Sequence, residues 1–249
     1  MFLVNEKPWI DVSAAVDIQS LQRQKNKFAY IIAKYPGWRV TSVVGRQDNL
    51  YDQNLTELFD FAVETAKSGT LTDTTMYKSL GSMASFYTYC KYMYPVVALN
   101  QCLYARNPIP TARYHEKHLA SSFADSTITP EFRFFFDWLD SQNIFNNYGR
   151  VVLFINEAGV ESTLHRDYAN PKSHKNEFIW ISLDGAKKFY VYDSETKQKH
   201  FFSSPIVYFD NANWHGSESS QFASFSIRVD GEFSNTFLEK TGMYAHFRG

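Results

Sequence analysis

In the stretch STLHRDYAN, residues 162–170, His165 and Asp167 stand two positions apart. Side chains at i and i+2 of an extended strand project from one face. The pair therefore offers an imidazole and a carboxylate to a common space. His215 follows 48 residues after Asp167, in FDNANWHGSES. Two imidazoles and one carboxylate make a facial ligand set for Fe(II) that leaves coordination positions open for other reactants. Arg228 stands 13 residues after His215, in ASFSIRVDG. Alternation there sets Phe225, Ile227 and Val229 on one side and Ser224, Ser226 and Arg228 on the other. A strand with an apolar back and a Ser-x-Arg front suits a polar pocket, and a guanidinium fork can hold a carboxylate by two hydrogen bonds.

The other histidines fit this chemistry less well. His115 and His118 form HxxH, one residue short of the HExxH zinc helix. His174, His200 and His246 occur in polar contexts and read as solvated side chains.

The elements that must position these residues change character near residue 146. Before it the pattern is mainly helical. Ile18, Leu21, Phe28, Ile31 and Ile32 recur at helical spacing over residues 13–34, and YPGW ends the run. WRVTSVV, residues 38–44, is β-branched and predicts a strand. A second helix is predicted over 54–67, with Asn54 as its cap and Gly69 as its stop, and another over 82–94, ending at Pro95. Thr129, Pro130 and the stripe Phe132, Phe135, Phe136 and Leu139 predict a helix over 129–142. After residue 146 come short segments rich in Val, Ile, Phe and Tyr, divided by Gly, Asn, Asp, Pro or Ser. That spacing predicts an antiparallel sandwich or barrel, and with the helical half an α+β protein. The change of pattern is not a flexible linker, so the expectation is a single domain over 1–249.

Composition narrows the function classes. The 249 residues carry 25 basic and 26 acidic side chains, with no block of one sign, so electrostatics predicts neither nucleic-acid nor membrane-surface binding. The 22 Phe and 16 Tyr suit a β-rich core. Cys90 and Cys102 fit no zinc or redox spacing and read as reduced thiols. No basic-then-apolar leader and no membrane-length apolar run occur in the sequence, so a soluble, cytoplasmic protein is expected.

His165, Asp167, His215 and Arg228 together resemble the Fe(II)- and 2-oxoglutarate-dependent oxygenases, over roughly residues 146–231. WHGSES and SIRVDGEF are similar to the distal-histidine and arginine strands of phytanoyl-hydroxylase-like and aspartyl-hydroxylase-like members. LDGAKKFYVYD is similar instead to the strand of JmjC-type and cupin-like hydroxylases whose lysine anchors 2-oxoglutarate, here Lys187. The resemblance implies a double-stranded β-helix (a jelly-roll, cupin-like barrel) over 146–231, a mainly helical flank over 1–145 and a C-terminal extension over 232–249. It implies Fe(II) on His165, Asp167 and His215, with 2-oxoglutarate and dioxygen as co-substrates, succinate and CO2 as products, and hydroxylation of a small molecule or protein. Arg228 is preferred as the anchor because Lys187 shares parity with Phe189 and Val191, while Ser162, Ser226, Tyr190 and Tyr192 are candidate hydrogen-bond partners of the co-substrate. Tyr77, Tyr87, Tyr89, Tyr92 and Tyr94 could wall a substrate cleft or serve as core packing. Two other readings stand beside this one: a non-catalytic or differently metallated cupin-like binding protein, and a cupin-like isomerase or dioxygenase that uses no 2-oxoglutarate.

Overall fold

The computed structural model describes residues 8–34, 39–45, 97–108, 123–125, 129–156, 158–159, 161–165, 176–185 and 187–249. In chain order, the elements begin with β1 (Trp9–Asp11), α1 (Ile18–Gln22), α2 (Lys25–Lys34), β2 (Arg39–Gly45), β3 (Val97–Pro108) and β4 (Phe123–Asp125). Helix α3 (Arg133–Gln142) leads into β5 (Phe145–Asn156), β6 (Ser162–His165), β7 (Phe178–Ile181) and β8 (Phe189–Asp193). Strands β9 (Gln198–Phe201), β10 (Ile206–Phe209), β11 (His215–Ser217) and β12 (Ser224–Phe233) follow, then α4 (Asn235–Lys240) and α5 (Tyr244–Arg248).

Two antiparallel sheets carry the fold. The larger runs β1-β10-β7-β12-β5-β3-β2, with β4 on β3, and the smaller runs β6-β11-β8-β9. From β5 to β12 the chain passes from one sheet to the other at every step except the β8–β9 hairpin. Eight strands wound in this way make a double-stranded β-helix, a jelly roll. The pattern behind it is legible in β7, β8 and β10, which read FIWI, FYVYD and IVYF and are buried along most of their length. Strand β12 bends at Gly231, where an added Cβ would lie 2.5 Å from the Asn147 carbonyl oxygen.

The outer face of the larger sheet is covered by α2 and α3. Phe28 of α2 packs on Phe132, Phe134 and Phe135 and on Phe225 of β12, with ring centroids 4.9 to 6.1 Å apart. Trp138 of α3 donates its indole N–H to the Asp17 carbonyl at 2.9 Å, and Asp17 caps α1 by accepting from Ser20 N at 3.1 Å. At the other end of the chain, α5 docks through Arg248, which reaches Glu177 at 2.7 Å, and through Phe247 against Tyr208 and Phe233.

The described part of the first half departs from the expected helical flank: it supplies four strands, three of them extending the barrel's own larger sheet at its two edges. The expected strand over 38–44 is β2, but β3, whose VALNQCLYARNP groups apolar and polar residues in blocks rather than alternating them, was not anticipated. The helix expected over 13–34 is a 3-10 turn followed by α1 and α2, split where Gln24 N turns back to the Leu21 carbonyl. The helix expected over 129–142 begins as a 3-10 turn, and Thr129 donates its hydroxyl to the Ala105 carbonyl at 2.7 Å. Asn143, in the left-handed region at φ 51°, ends α3 where expected. The helices expected over 54–67 and 82–94, with Cys90 and the tyrosines from Tyr77 to Tyr94, lie outside the described residues. Among the described residues no helix is long and apolar enough to cross a membrane.

Candidate metal and co-substrate site

Strand β11 lies between β6 and β8, and its first residue sets the register of the site. His215 is the Cα partner of His165 on β6 and of Val191 on β8. The two histidines that stand 50 residues apart in sequence are thus direct neighbours across an antiparallel pair. His215 is buried, and its Nδ1 lies 2.8 Å from the Asn213 carbonyl oxygen. A carbonyl can only accept, so Nδ1 carries the proton, as it does in an imidazole that binds a metal through Nε2. The ring is held by Phe189, stacked at 5.9 Å, and by Phe209, edge-on at 5.2 Å. Asp167, two residues beyond β6, lies outside the described residues. Among the described residues, no three His, Cys, Asp or Glu side chains gather as a metal site.

Lys187 precedes β8 by two residues and has the parity of Phe189 and Val191. Its Nζ lies by the Phe189 ring that itself stacks on His215, which makes the apolar company counted against it in sequence a reason for it. Its Nζ is 3.4 Å from Ser226 Oγ and 5.6 Å from the centre of the Phe189 ring. Among the described residues no carboxylate lies within ion-pair distance, and Asp184 acts only from further away. Burial lowers the Lys187 amine to about 7, against the opposing pull of Asp184.

Arg228 occupies the same inward face of β12 as Ser224 and Ser226, all three buried, while Phe225 meets the helices outside. Its guanidinium is strongly engaged within the barrel. Nε donates to Asp230 Oδ1 at 3.0 Å and Nη2 lies 2.8 Å from the same oxygen. The planar group also covers the Phe178 ring at 3.8 Å. Arg150 of β5 donates to the other oxygen, Oδ2, at 2.6 Å. Asp230 is fully buried, so two guanidiniums share a carboxylate that water does not reach.

The remaining candidates divide between the two faces. Ser162 is on the inner network: its Oγ accepts from Asn156 Nδ2 at 3.3 Å and its N–H donates to Ser217 Oγ at 3.0 Å. Tyr190 and Tyr192 have the opposite parity to Val191. Tyr190 packs against Phe201 at 5.5 Å and beneath the Lys199 ammonium at 4.7 Å, away from His215, and burial raises its phenol. Two histidines expected to be solvated are not. His200 is half-buried on β9 opposite Val191, with Nε2 shielded from water, and His246 Nε2 lies 3.3 Å from the Tyr208 hydroxyl. His115, His118 and His174 lie outside the described residues. Sequence reasoning missed Asn213, Asp230 and Arg150. The spacing of Asp230 two residues after Arg228 was a usable signal, since i and i+2 share a strand face; nothing local marks the Asn213 carbonyl.

No protein-family model and no curated protein matches the chain. Among solved structures, the chain is similar to a 2OG-Fe(II) oxygenase family oxidoreductase from Burkholderia pseudomallei, at 13% identity and TM-score 0.34, over 53% of this chain and 67% of that one. It is similar to a Pseudomonas putida prolyl-4-hydroxylase at 10% identity and TM-score 0.33, over 88% and 97% of the two chains. A Trichoplax adhaerens prolyl hydroxylase, in complex with a hypoxia inducible factor oxygen degradation domain peptide fragment, is similar at 10% identity and TM-score 0.34, over 89% and 94%. The strand order above, rather than these likenesses, defines the fold.

Proposed function

We propose that the protein is an Fe(II)- and 2-oxoglutarate-dependent oxygenase, with His165, Asp167 and His215 as the iron ligands and Lys187 as the anchor of the co-substrate. The observation that carries this reading is the buried Lys187 ammonium by the Phe189 ring that stacks on His215, with a hydroxyl beside it and no described carboxylate in reach. A cation buried in this way is costly unless an anion joins it. The distal carboxylate of 2-oxoglutarate is such an anion. The protonated Nδ1 of His215 leaves its Nε2 suited to a divalent metal, so the donors fit the group.

Each residue then has a defined task. The Asn213 carbonyl fixes the His215 tautomer, and Phe189 and Phe209 fix the ring plane. Lys187 holds the carboxylate by charge, and Ser226 Oγ–H donates to it. The aromatic cluster of Trp180, Phe189, Phe202 and Phe209 packs beside His215 and keeps water from that side of it. Bound there, Fe(II) with dioxygen supplies the oxidising chemistry that converts 2-oxoglutarate to succinate and CO2 and hydroxylates the substrate. Arg228, the anchor preferred from sequence, is already ion-paired with Asp230 and laid on the Phe178 face, and its part in this reading is to hold the inner face of β12 in place.

Asp167→Ala tests the ligand set. The wild type should release CO2 from 1-labelled 2-oxoglutarate in an Fe(II)-dependent manner, and the variant should lose that release. Decarboxylation kept by Asp167→Ala would count against the site. An Fe-dependent reaction that ignores Lys187→Ala and Arg228→Ala alike would favour a cupin-like dioxygenase that needs no 2-oxoglutarate.

A further inference from the structure

We propose that Lys187 is also a modification site, at which CO2 adds to Nζ as a carbamate and removes the cation that the anchor requires. The link to 2-oxoglutarate rests on the function proposed above; the carbamate itself does not.

The surroundings of Nζ supply what a lysine carbamate needs. The first requirement is an amine that is uncharged part of the time. Lys187 is 9% exposed, faces the edge of the Phe189 ring cluster, and has no described carboxylate at ion-pair distance to hold its proton. Its lowered amine, at about 7, follows from that burial. The second is a donor for the new anion. Ser226 Oγ, at 3.4 Å, can turn its hydroxyl from accepting the ammonium to donating to a carbamate oxygen. The third is positive charge nearby. Arg228, the next inward-facing residue on β12 after Ser226 and about 7 Å along the strand at the usual rise per residue, shares the single Asp230 carboxylate with Arg150, so the cluster keeps a net positive charge. The neighbouring Lys188 meets none of these conditions, being exposed to water.

The step balances without an oxidant. The ammonium first gives a proton to solvent; the freed Nζ lone pair then forms a bond to the carbon of CO2, one C–O π pair moves onto oxygen, and the nitrogen gives a second proton to solvent. The product is an N-carboxylate of charge −1 in place of an ammonium of charge +1. CO2 is a product of the proposed reaction and is released in this barrel. Carbamate formation would make CO2 an inhibitor competitive with 2-oxoglutarate, because the modified residue repels the carboxylate it otherwise holds.

The test is 13C NMR of the full-length, metal-free protein in 13C-bicarbonate near pH 8. A single protein carbamate resonance is expected in the wild type and in Lys188→Arg, and none in Lys187→Arg. Trapping with triethyloxonium, followed by peptide mapping of the wild type, should place an ethoxycarbonyl group on Lys187, which decides the matter if Lys187→Arg does not fold. Absence of the resonance and of the trapped group, or a resonance kept in folded Lys187→Arg, would overturn the proposal. With Zn(II) as a diamagnetic metal, added 2-oxoglutarate should abolish the resonance; persistence at saturating 2-oxoglutarate would overturn the competition. A protein that binds 2-oxoglutarate but gives no carbamate rejects this proposal and leaves the oxygenase reading standing. One that gives the carbamate but never binds 2-oxoglutarate supports the modification and rejects the anchor.

Discussion

At the scale of residues, the barrel holds two cationic positions with opposite circumstances. Arg228 has its partners inside the fold, whereas Lys187 has a hydroxyl, a ring and no described carboxylate in reach. A buried amine lowered to about 7 gives a pH dependence whose sign can be stated. A bound carboxylate favours the ammonium, so above pH 7 binding of 2-oxoglutarate must take up a proton. Its affinity should fall as pH rises through 7, by up to about tenfold per pH unit. Calorimetry in buffers of different ionisation enthalpy should detect that proton, and Lys187→Arg should take up none. The stability effect has the opposite slope. The folded amine titrates lower than the unfolded one, so the unfolded chain binds more protons between about pH 7 and the usual lysine range near 10.4. The cost of burying Lys187 is therefore fully present below pH 7 and relieved as pH rises. Urea unfolding of Lys187→Met should show its largest gain over the wild type at pH 6, shrinking towards pH 9.

At the scale of elements, β12 gathers the polar interior. Ser224, Ser226, Arg228 and Asp230 line one face at successive pleats, and Arg150 reaches across from β5. Asp230→Asn removes the charge that two buried guanidiniums share. The expected loss is about 3–5 kcal/mol of unfolding free energy, read as a lower urea midpoint at unchanged slope. Strand alternation made this face legible in the sequence for Ser224, Ser226 and Arg228. What each residue does there was not legible, because that depends on neighbours from other strands. Arg228 looked like an anchor until Asp230 and Phe178 were seen beside it. Lys187 looked like a core position because its parity matched Phe189 and Val191; in the fold its Nζ lies by the Phe189 ring that stacks on His215. Tyr190, one residue out of phase with Val191, lies on the other face of β8. His200, flanked by lysine in sequence, turned out half-buried because its partner across the pair is Val191.

At the scale of the molecule, the alternation of β5 to β12 between two sheets brings residues from distant strands onto one inner wall. The run of short strands in the second half was readable from residue types and punctuation. Strands β1 and β3 were not, since what makes them strands is an edge of the larger sheet that supplies the missing hydrogen-bond partners. Phe28 joins α2, the turn and helix that begin at Thr129, and β12 through four rings. Phe28→Ala should cost about 3–5 kcal/mol of stability, by denaturant unfolding, while the affinity of the folded protein for 2-oxoglutarate stays unchanged. If one barrel wall holds Fe(II) and 2-oxoglutarate together, an anaerobic visible spectrum reads it. Addition of 2-oxoglutarate to the Fe(II)-loaded protein should produce a weak charge-transfer band, lost in His215→Ala and weakened at equal 2-oxoglutarate in Lys187→Ala. No band in the wild type at saturating metal and co-substrate, or a band indifferent to His215→Ala, would contradict the account.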